Sequence, residues 1–171
     1  MKLLDAIKTR QSVRAYQSRP IEQEKLARIL QAINQAPSAG NLQAYRVWVV
    51  RDPPTKQQLA KAALGQDFMA RAPVVLVFCA EPARAARYGK RGAELYCIQD
   101  ATVAVAYAQL AATAEGLATC WIGAFNETEV ARVLGLSEQF RPIAMLPVAY
   151  AAETPPQTPR RPLSEVVVEH A

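Results

Sequence analysis

Between Ile21 and Ala36 apolar side chains recur at Leu26, Ile29, Leu30 and Ile33, while Glu22, Gln23, Glu24, Lys25 and Arg28 fill most other positions. That spacing holds one face apolar at 3.6 residues per turn and predicts a helix. Pro37 and Gly40 stop it. A shorter amphipathic segment, Leu3–Arg10, precedes it. Tyr45–Arg51 is β-branched and aromatic and reads as a strand. Asp52-Pro53-Pro54 opens a helix to about Leu64, with Pro54 suited to the first turn and Gly65 to the stop. Pro73–Ala80 (PVVLVFCA) is apolar on both alternating faces, as a strand covered from both sides must be.

The second half follows the same logic. Glu81–Gly92 is basic and irregular, a surface loop or short helix. Ala93–Glu115 reads as a long helix ended by Gly116, with alanines that let another helix approach closely. Leu117–Ile122 is strand-like and is broken by Gly123. Asn126–Glu129 fits a capping box, opening a helix that Gly135 closes. Pro142–Ala149 is a further strand, interrupted by Pro147. A proline-rich tail, Glu153–Pro162, leads to Leu163–Val168, whose β-branched residues suit an edge strand, on this chain or another molecule. There are no internal repeats. The pattern describes one domain over 1–171, with a C-terminal arm from about 153, in the α+β class: helices around a central, mixed sheet.

Composition narrows the chemistry. A chain of 171 residues, 51% hydrophobic and 20% charged, can bury a sizeable core, which excludes wholesale disorder. No apolar run approaches a membrane span, since the longest, Ala72–Ala80, has the length of a strand. Asp5 interrupts what would be the apolar stretch of an export signal, so a cytoplasmic protein is expected. Cys79, Cys97 and Cys120 form no CxxC pair, and the one histidine is His170. Neither a zinc site nor a Cys–His nucleophile can be assembled from that set, and buried structural thiols are expected. The net charge of +5 is spread along the chain and aromatics are only 7%, so no stacking platform for nucleic acid is evident.

Four stretches carry candidate chemistry. In RQSVR, an extended backbone would turn Arg10, Ser12 and Arg14 to one side, two guanidiniums and a hydroxyl matched to a phosphate. A solvated basic loop explains the same residues. In APSAGNLQAY, Asn41 and Gln43 both donate and accept, as the edge of a heteroaromatic ring demands, and Gly40 allows close approach. A plain helix stop is the alternative. In GLATCWIGAF, Gly123 can offer a backbone N–H unobstructed, or merely end a core strand. Arg160–Arg161–Pro162 is a further anion-binding pair or a basic tail. No GxGxxG opens a helix after an early strand, which disfavours a dinucleotide-binding Rossmann domain.

Taken in order, RQSVRAY, APSAGNLQAYRVWVV, QDATVAVAYAQLAATAEGLATCWIGAF and PRRPL resemble the nitroreductase family of FMN-dependent oxidoreductases, from Ile7 to about Val168. The resemblance implies a homodimer with a mainly antiparallel sheet and two FMN sites at the subunit interface. It implies that Arg10, Gln11, Ser12 and Arg14 hold the ribityl phosphate region, assisted by Arg160 and Arg161. It places Asn41 on the pyrimidine edge of the ring, with Gln43 beside it. Pro37, Ser38 and Ala39 would reach the flavin of the other subunit, and the backbone at Ile122 and Gly123 would lie near N5. Tyr88, Arg87 and Arg91 would line the substrate mouth, unless they are ordinary surface.

The implied activity moves hydride from NADH or NADPH through the flavin to a nitroaromatic, a quinone or an enone-like acceptor, in a ping-pong cycle that needs no protein nucleophile and no metal. An FMN carrier or sensor without turnover, or another flavin chemistry such as ring fragmentation, would use the same residues. Three departures stand out. Ala44 and Tyr45 follow Gln43 where the family often has Pro and Trp, GLAT replaces GLGT, and the segment after Ala80 leaves little room for an extended lid. The last argues against the specialised deiodinase branch.

Overall fold

The computed structural model describes residues 1–170. In chain order its elements are α1 (Leu3–Thr9), α2 (Gln23–Asn34), β1 (Tyr45–Val50), α3 (Pro53–Ala62), β2 (Val74–Ala80), α4 (Pro82–Ala85), α5 (Gly89–Arg91), α6 (Cys97–Ala114), β3 (Ala118–Thr119), α7 (Glu127–Leu134) and β4 (Arg141–Ala149). The strands form one sheet in the order β1-β2-β4-β3, each neighbouring pair antiparallel. A parallel bridge from Ser12 to Thr119 adds the N-terminal segment to the β3 edge, so the sheet is mixed and mainly antiparallel, as expected.

Strand period two divides the core. Val74, Leu76 and Phe78 of β2, with Ala144, Leu146 and Val148 of β4, face α2 and α6. Val75, Val77 and Cys79, with Met145, face α3 and α7. Every residue of β2 is buried, which is why PVVLVFCA carries no polar face. The three cysteines are buried too, and burial pushes the Cys79 thiol up to about 12, in keeping with structural thiols.

Four expectations need correcting. The strand expected over Leu117–Ile122 shrinks to Ala118–Thr119 and a lone Ile122–Met145 bridge. There the edge is shared with the N-terminal segment, since Val13 N–H donates to the Thr119 carbonyl at 3.0 Å. Pro147 does not interrupt β4. It pairs in register with Val75 and, towards β3, falls between Val148–Thr119 and Met145–Ile122, where no ladder partner requires its missing N–H. The long helix begins before Ala93: α5 and a π-turn over Gly92–Tyr96 lead directly into α6. Gly92 is required there, because a Cβ would fall on the Ala85 carbonyl of α4. Leu163–Val168 pairs with no strand of this chain; it holds a 3₁₀ turn at Leu163–Glu165, and Leu163, Val166, Val167 and Val168 are exposed.

Candidate functional site

Past α2 the chain enters a turn that the backbone alone would resist. Gly40, Asn41 and Gln43 all adopt left-handed conformations, with φ of 55°, 56° and 46°. For Asn and Gln this costs energy, and the surroundings must hold it. Asp100, buried on α6, does so by accepting from the backbone N–H of Ala39 at 2.9 Å and of Ala44 at 3.3 Å. Ser38 Oγ accepts from Gln43 N–H at 2.9 Å, and Gln43 Nε2 donates to the Asn34 carbonyl at 3.0 Å. The hydroxyl of Tyr45 caps the α2 terminus through the Ile33 carbonyl at 2.8 Å.

Two residues expected to face a ligand ring are therefore occupied within the turn. The Gln43 amide is turned to Asn34, and the Ser38 hydroxyl to Gln43. Asn41 is exposed, and its side chain takes no hydrogen bond among the described residues. Pro37, Ser38 and Ala39 line an open hollow of about 490 Å³ with Tyr96, Asp100 and Val103 of the following helix. Asp100 escaped the sequence reading. The signal available was one acid in an alanine-rich helix, and its partners lie 61 and 56 residues away.

The segment after β2 folds over this turn. Arg87 Nη2 donates to the Gly40 carbonyl at 3.2 Å and to the Tyr88 hydroxyl at 3.0 Å. Any Cβ at Gly40 would collide with both side chains. Arg84 Nε donates to the Leu42 carbonyl at 3.1 Å, and Arg91 Nε to the Tyr96 hydroxyl at 3.2 Å. Of the three residues assigned to the substrate mouth, Arg87 and Tyr88 thus reach the polar turn, and Arg91 reaches Tyr96 on the wall of its hollow.

A second cavity, about 820 Å³, opens at the N-terminal segment. Arg10, Gln11, Ser12, Arg14 and Arg160 all line it, with the proline-rich tail as the opposite wall; Arg161 does not. The extended backbone at Ser12–Val13 is set by its pairing with Thr119. Val13 is buried below, between Ser12 and Arg14. No ion pair among the described residues includes Arg10, Arg14 or Arg160. Gln11 Oε1 is buried there without a hydrogen-bond partner. The nearby Glu153 carboxylate accepts from the backbone N–H of Arg14 and Ala15. Burial raises the Cys120 thiol while the Arg14 charge, the Ser12 hydroxyl and the Arg10 charge oppose it, and the net shift is upward, leaving a neutral thiol.

Ile122 is buried on the sheet and Gly123 is exposed beyond it, its N–H without an acceptor among the described residues. The basic cavity and the hollow of the polar turn share no lining residue within one chain. No group of three or more His, Cys, Asp or Glu able to hold a metal occurs among the described residues, and no described helix is long and apolar enough to cross a membrane.

Comparison with known proteins places this arrangement. An NADH dehydrogenase of Thermus thermophilus is 33% identical over 93% of this chain and 91% of its own length. An FMN reductase [NAD(P)H] of Bacillus subtilis is 31% identical over 96% of this chain and 72% of its own. Among solved structures, the hypothetical oxidoreductase YcnD from Bacillus subtilis superposes with a TM-score of 0.92 at 30% identity, over 100% of this chain and 75% of that one. The NADPH:FMN oxidoreductase from Vibrio harveyi complexed with NAD+ gives 0.91 at 26% identity, over 99% and 77%. The model of the nitroreductase family matches residues 7–66 and 54–150. With strand order, polar turn and basic cavity in place, the chain belongs to the nitroreductase family.

Proposed function

We propose that this protein is an FMN-dependent NAD(P)H oxidoreductase working as a homodimer. The observation that carries the reading is the basic cavity. Three arginines without carboxylate partners and the Ser12 hydroxyl suit a phosphate, and the orphaned Gln11 Oε1 needs a donor such as a ribityl hydroxyl. The residues present fit FMN. Arg10, Gln11, Ser12, Arg14 and Arg160 would hold the phosphate and ribityl chain, with Arg161 near the rim. Asn41, exposed and unengaged, would meet the ring edge, and the free Gly123 N–H next to buried Ile122 would face N5.

The flavin supplies hydride chemistry at N5, between NADH or NADPH and a small acceptor such as a nitroaromatic or quinone. The chain's own contribution is electrostatic and geometric. Arginine charge would neutralise the phosphate, the Gly123 N–H would offer the ring a hydrogen bond, and Asp100 fixes the turn. Pro37, Ser38 and Ala39 would complete the ring pocket of the partner subunit. Two observations support that division: the two hollows are separate within one chain, and Leu3, Leu4 and Ile7 of α1 are exposed beside the basic cavity.

The test is an absorbance spectrum of the purified protein, repeated anaerobically with NADH and then NADPH. The expected result is a yellow protein that bleaches with at least one donor and recovers its colour with a nitroaromatic or quinone. Sedimentation should show a particle of two 18.7 kDa chains. A yellow protein that resists both donors is a carrier or sensor. A colourless one that takes up no FMN overturns the reading.

A further inference from the structure

The segment from Glu81 to Glu94 concentrates positive charge at the polar turn: Arg84, Arg87, Lys90 and Arg91 within eight residues. Only Lys90 is paired with a carboxylate, Glu94, at 3.8 Å. The three guanidiniums are instead held by neutral groups. Arg84 is aimed by the Leu42 carbonyl, Arg87 by the Gly40 carbonyl and the Tyr88 hydroxyl, and Arg91 by the Tyr96 hydroxyl. A guanidinium carries five N–H donors, and these bonds engage one each on Arg84 and Arg91 and Nη2 alone on Arg87. The result is fixed, uncompensated charge with donors to spare.

Aromatic faces accompany it. The Arg87 guanidinium lies 4.9 Å from the Tyr88 ring centroid, and that of Arg91 lies 5.6 Å from the Tyr96 ring. The two tyrosines meet edge to face at 5.6 Å. Tyr96 also lines the hollow formed by Pro37, Ser38 and Ala39. The one acid of that hollow, Asp100, is buried and directed to the amides of Ala39 and Ala44, away from a ligand's reach. Cations alternating with ring faces are the complement of a flat ring system carrying negative charge.

We propose that Arg87 and Arg91, with Tyr88 and Tyr96, form a subsite for a substrate in which a flat ring carries an anionic group, a carboxylate directly or a phosphate through its ribose. The proposal rests on the oxidoreductase reading for its place in turnover, and it names the substrate class of that site. Two sources share this chemistry: the adenosine 2′-phosphate end of NADPH on the donor side, and an aromatic carboxylate on the acceptor side.

The double variant Arg87→Gln, Arg91→Gln separates them. Glutamine removes the charge; at 91 its Nε2 falls where the Arg91 Nε donates to Tyr96, whereas at 87 it is too short for the Gly40 carbonyl. In wild type and variant, kcat/KM is measured for NADPH against NADH, and for 4-nitrobenzoate against the neutral 4-nitrobenzamide. The subsite predicts that one of these ratios, the substrate with the extra anionic group over the one without it, falls about tenfold in the variant, the loss of one charge-assisted contact. Each ratio cancels any loss common to both substrates of its pair. The ratio that falls identifies the source, and two unchanged ratios overturn the proposal. Calorimetric titration of both proteins with adenosine 2′-phosphate and with 4-nitrobenzoate reads the same subsite without turnover. Should the protein carry no flavin, that titration still decides: binding by wild type that weakens about tenfold in the variant sustains the subsite, and equal or absent binding of both probes removes it.

Discussion

Asp100 does more for the polar turn than any residue within the turn. Its two oxygens satisfy two backbone N–H groups, one of them on the fully buried Ala44, while the intervening Gly40, Asn41 and Gln43 sit at positive φ. Replacing it with asparagine offers one acceptor and one NH₂, so one of the two amides would face another donor. An unsatisfied buried donor costs about 1–3 kcal/mol, and Asp100→Asn is expected to lose that much in urea unfolding. FMN affinity should fall as well, because Asn41 and Ala39 are then less firmly placed. Unchanged unfolding together with unchanged flavin affinity would assign the turn's geometry to Ser38 and Asn34 instead. None of this was legible from sequence order. Motif reading found the turn because Pro, Ser, Gly and Asn crowd together there. It could not find the acid holding the turn, which touches it in space but lies on α6, 61 residues away along the chain.

At the scale of elements, legibility tracked the local signal. The buried strand β2, the amphipathic α2 and the helix between Asn126 and Gly135 all lie within a few residues of where the pattern put them, because burial period and caps are local properties. What failed were elements fixed by a distant neighbour. The short β3 owes its length to the N-terminal segment beside it, and the continuation of α6 back to Gly89 depends on a glycine that lets α4 approach. The capping box forms only by half. Asn126 Oδ1 accepts from Glu129 N–H at 3.0 Å, while the Glu129 carboxylate pairs with Arg132 and the Asn126 N–H goes to the Ala62 carbonyl. Asn126→Ala should therefore destabilise the fold by about 1 kcal/mol, the ordinary value of a single cap. Glu129→Gln should change it by only a few tenths, since its exposed pair with Arg132 contributes little. Thermal unfolding of the two variants measures the difference, and equal losses would mean that the reciprocal half of the box operates in solution.

Across the whole molecule, one polar corner ties β4 of the sheet to α2 and α6 packed on it. Tyr150, just past β4, donates to Glu22 Oε2 at 2.5 Å at the start of α2 and accepts from Lys25 Nζ at 2.9 Å. Lys25 also donates to the Glu115 carbonyl at the end of α6, and Arg28 grips the Glu115 carboxylate through two bonds of 2.7 Å. The Arg19 guanidinium covers the Tyr150 ring at 4.0 Å. The Tyr150 hydrogen bond, aided by Glu22's own backbone N–H and the charges of Lys25 and Arg19, draws the Glu22 carboxyl down from 4.5 to about 2. A carboxyl whose pKa is depressed by folding stabilises the fold above its unfolded pKa, and the benefit fades as pH falls through the folded one. The corner's contribution should thus be complete above pH 4.5 and decline towards pH 2. Tyr150→Phe removes the hydroxyl and leaves the ring under Arg19. Its melting temperature should lie below that of the wild type at pH 7, and the gap should narrow steadily between pH 4.5 and 2, as Glu22 protonates in both proteins. A remainder is expected even at pH 2, because Lys25 loses an acceptor at every pH. A gap of constant size from pH 7 to 2 would place the corner's contribution in the Lys25 bond alone, and Glu22 would then be a bystander to the docking of α2 on the sheet.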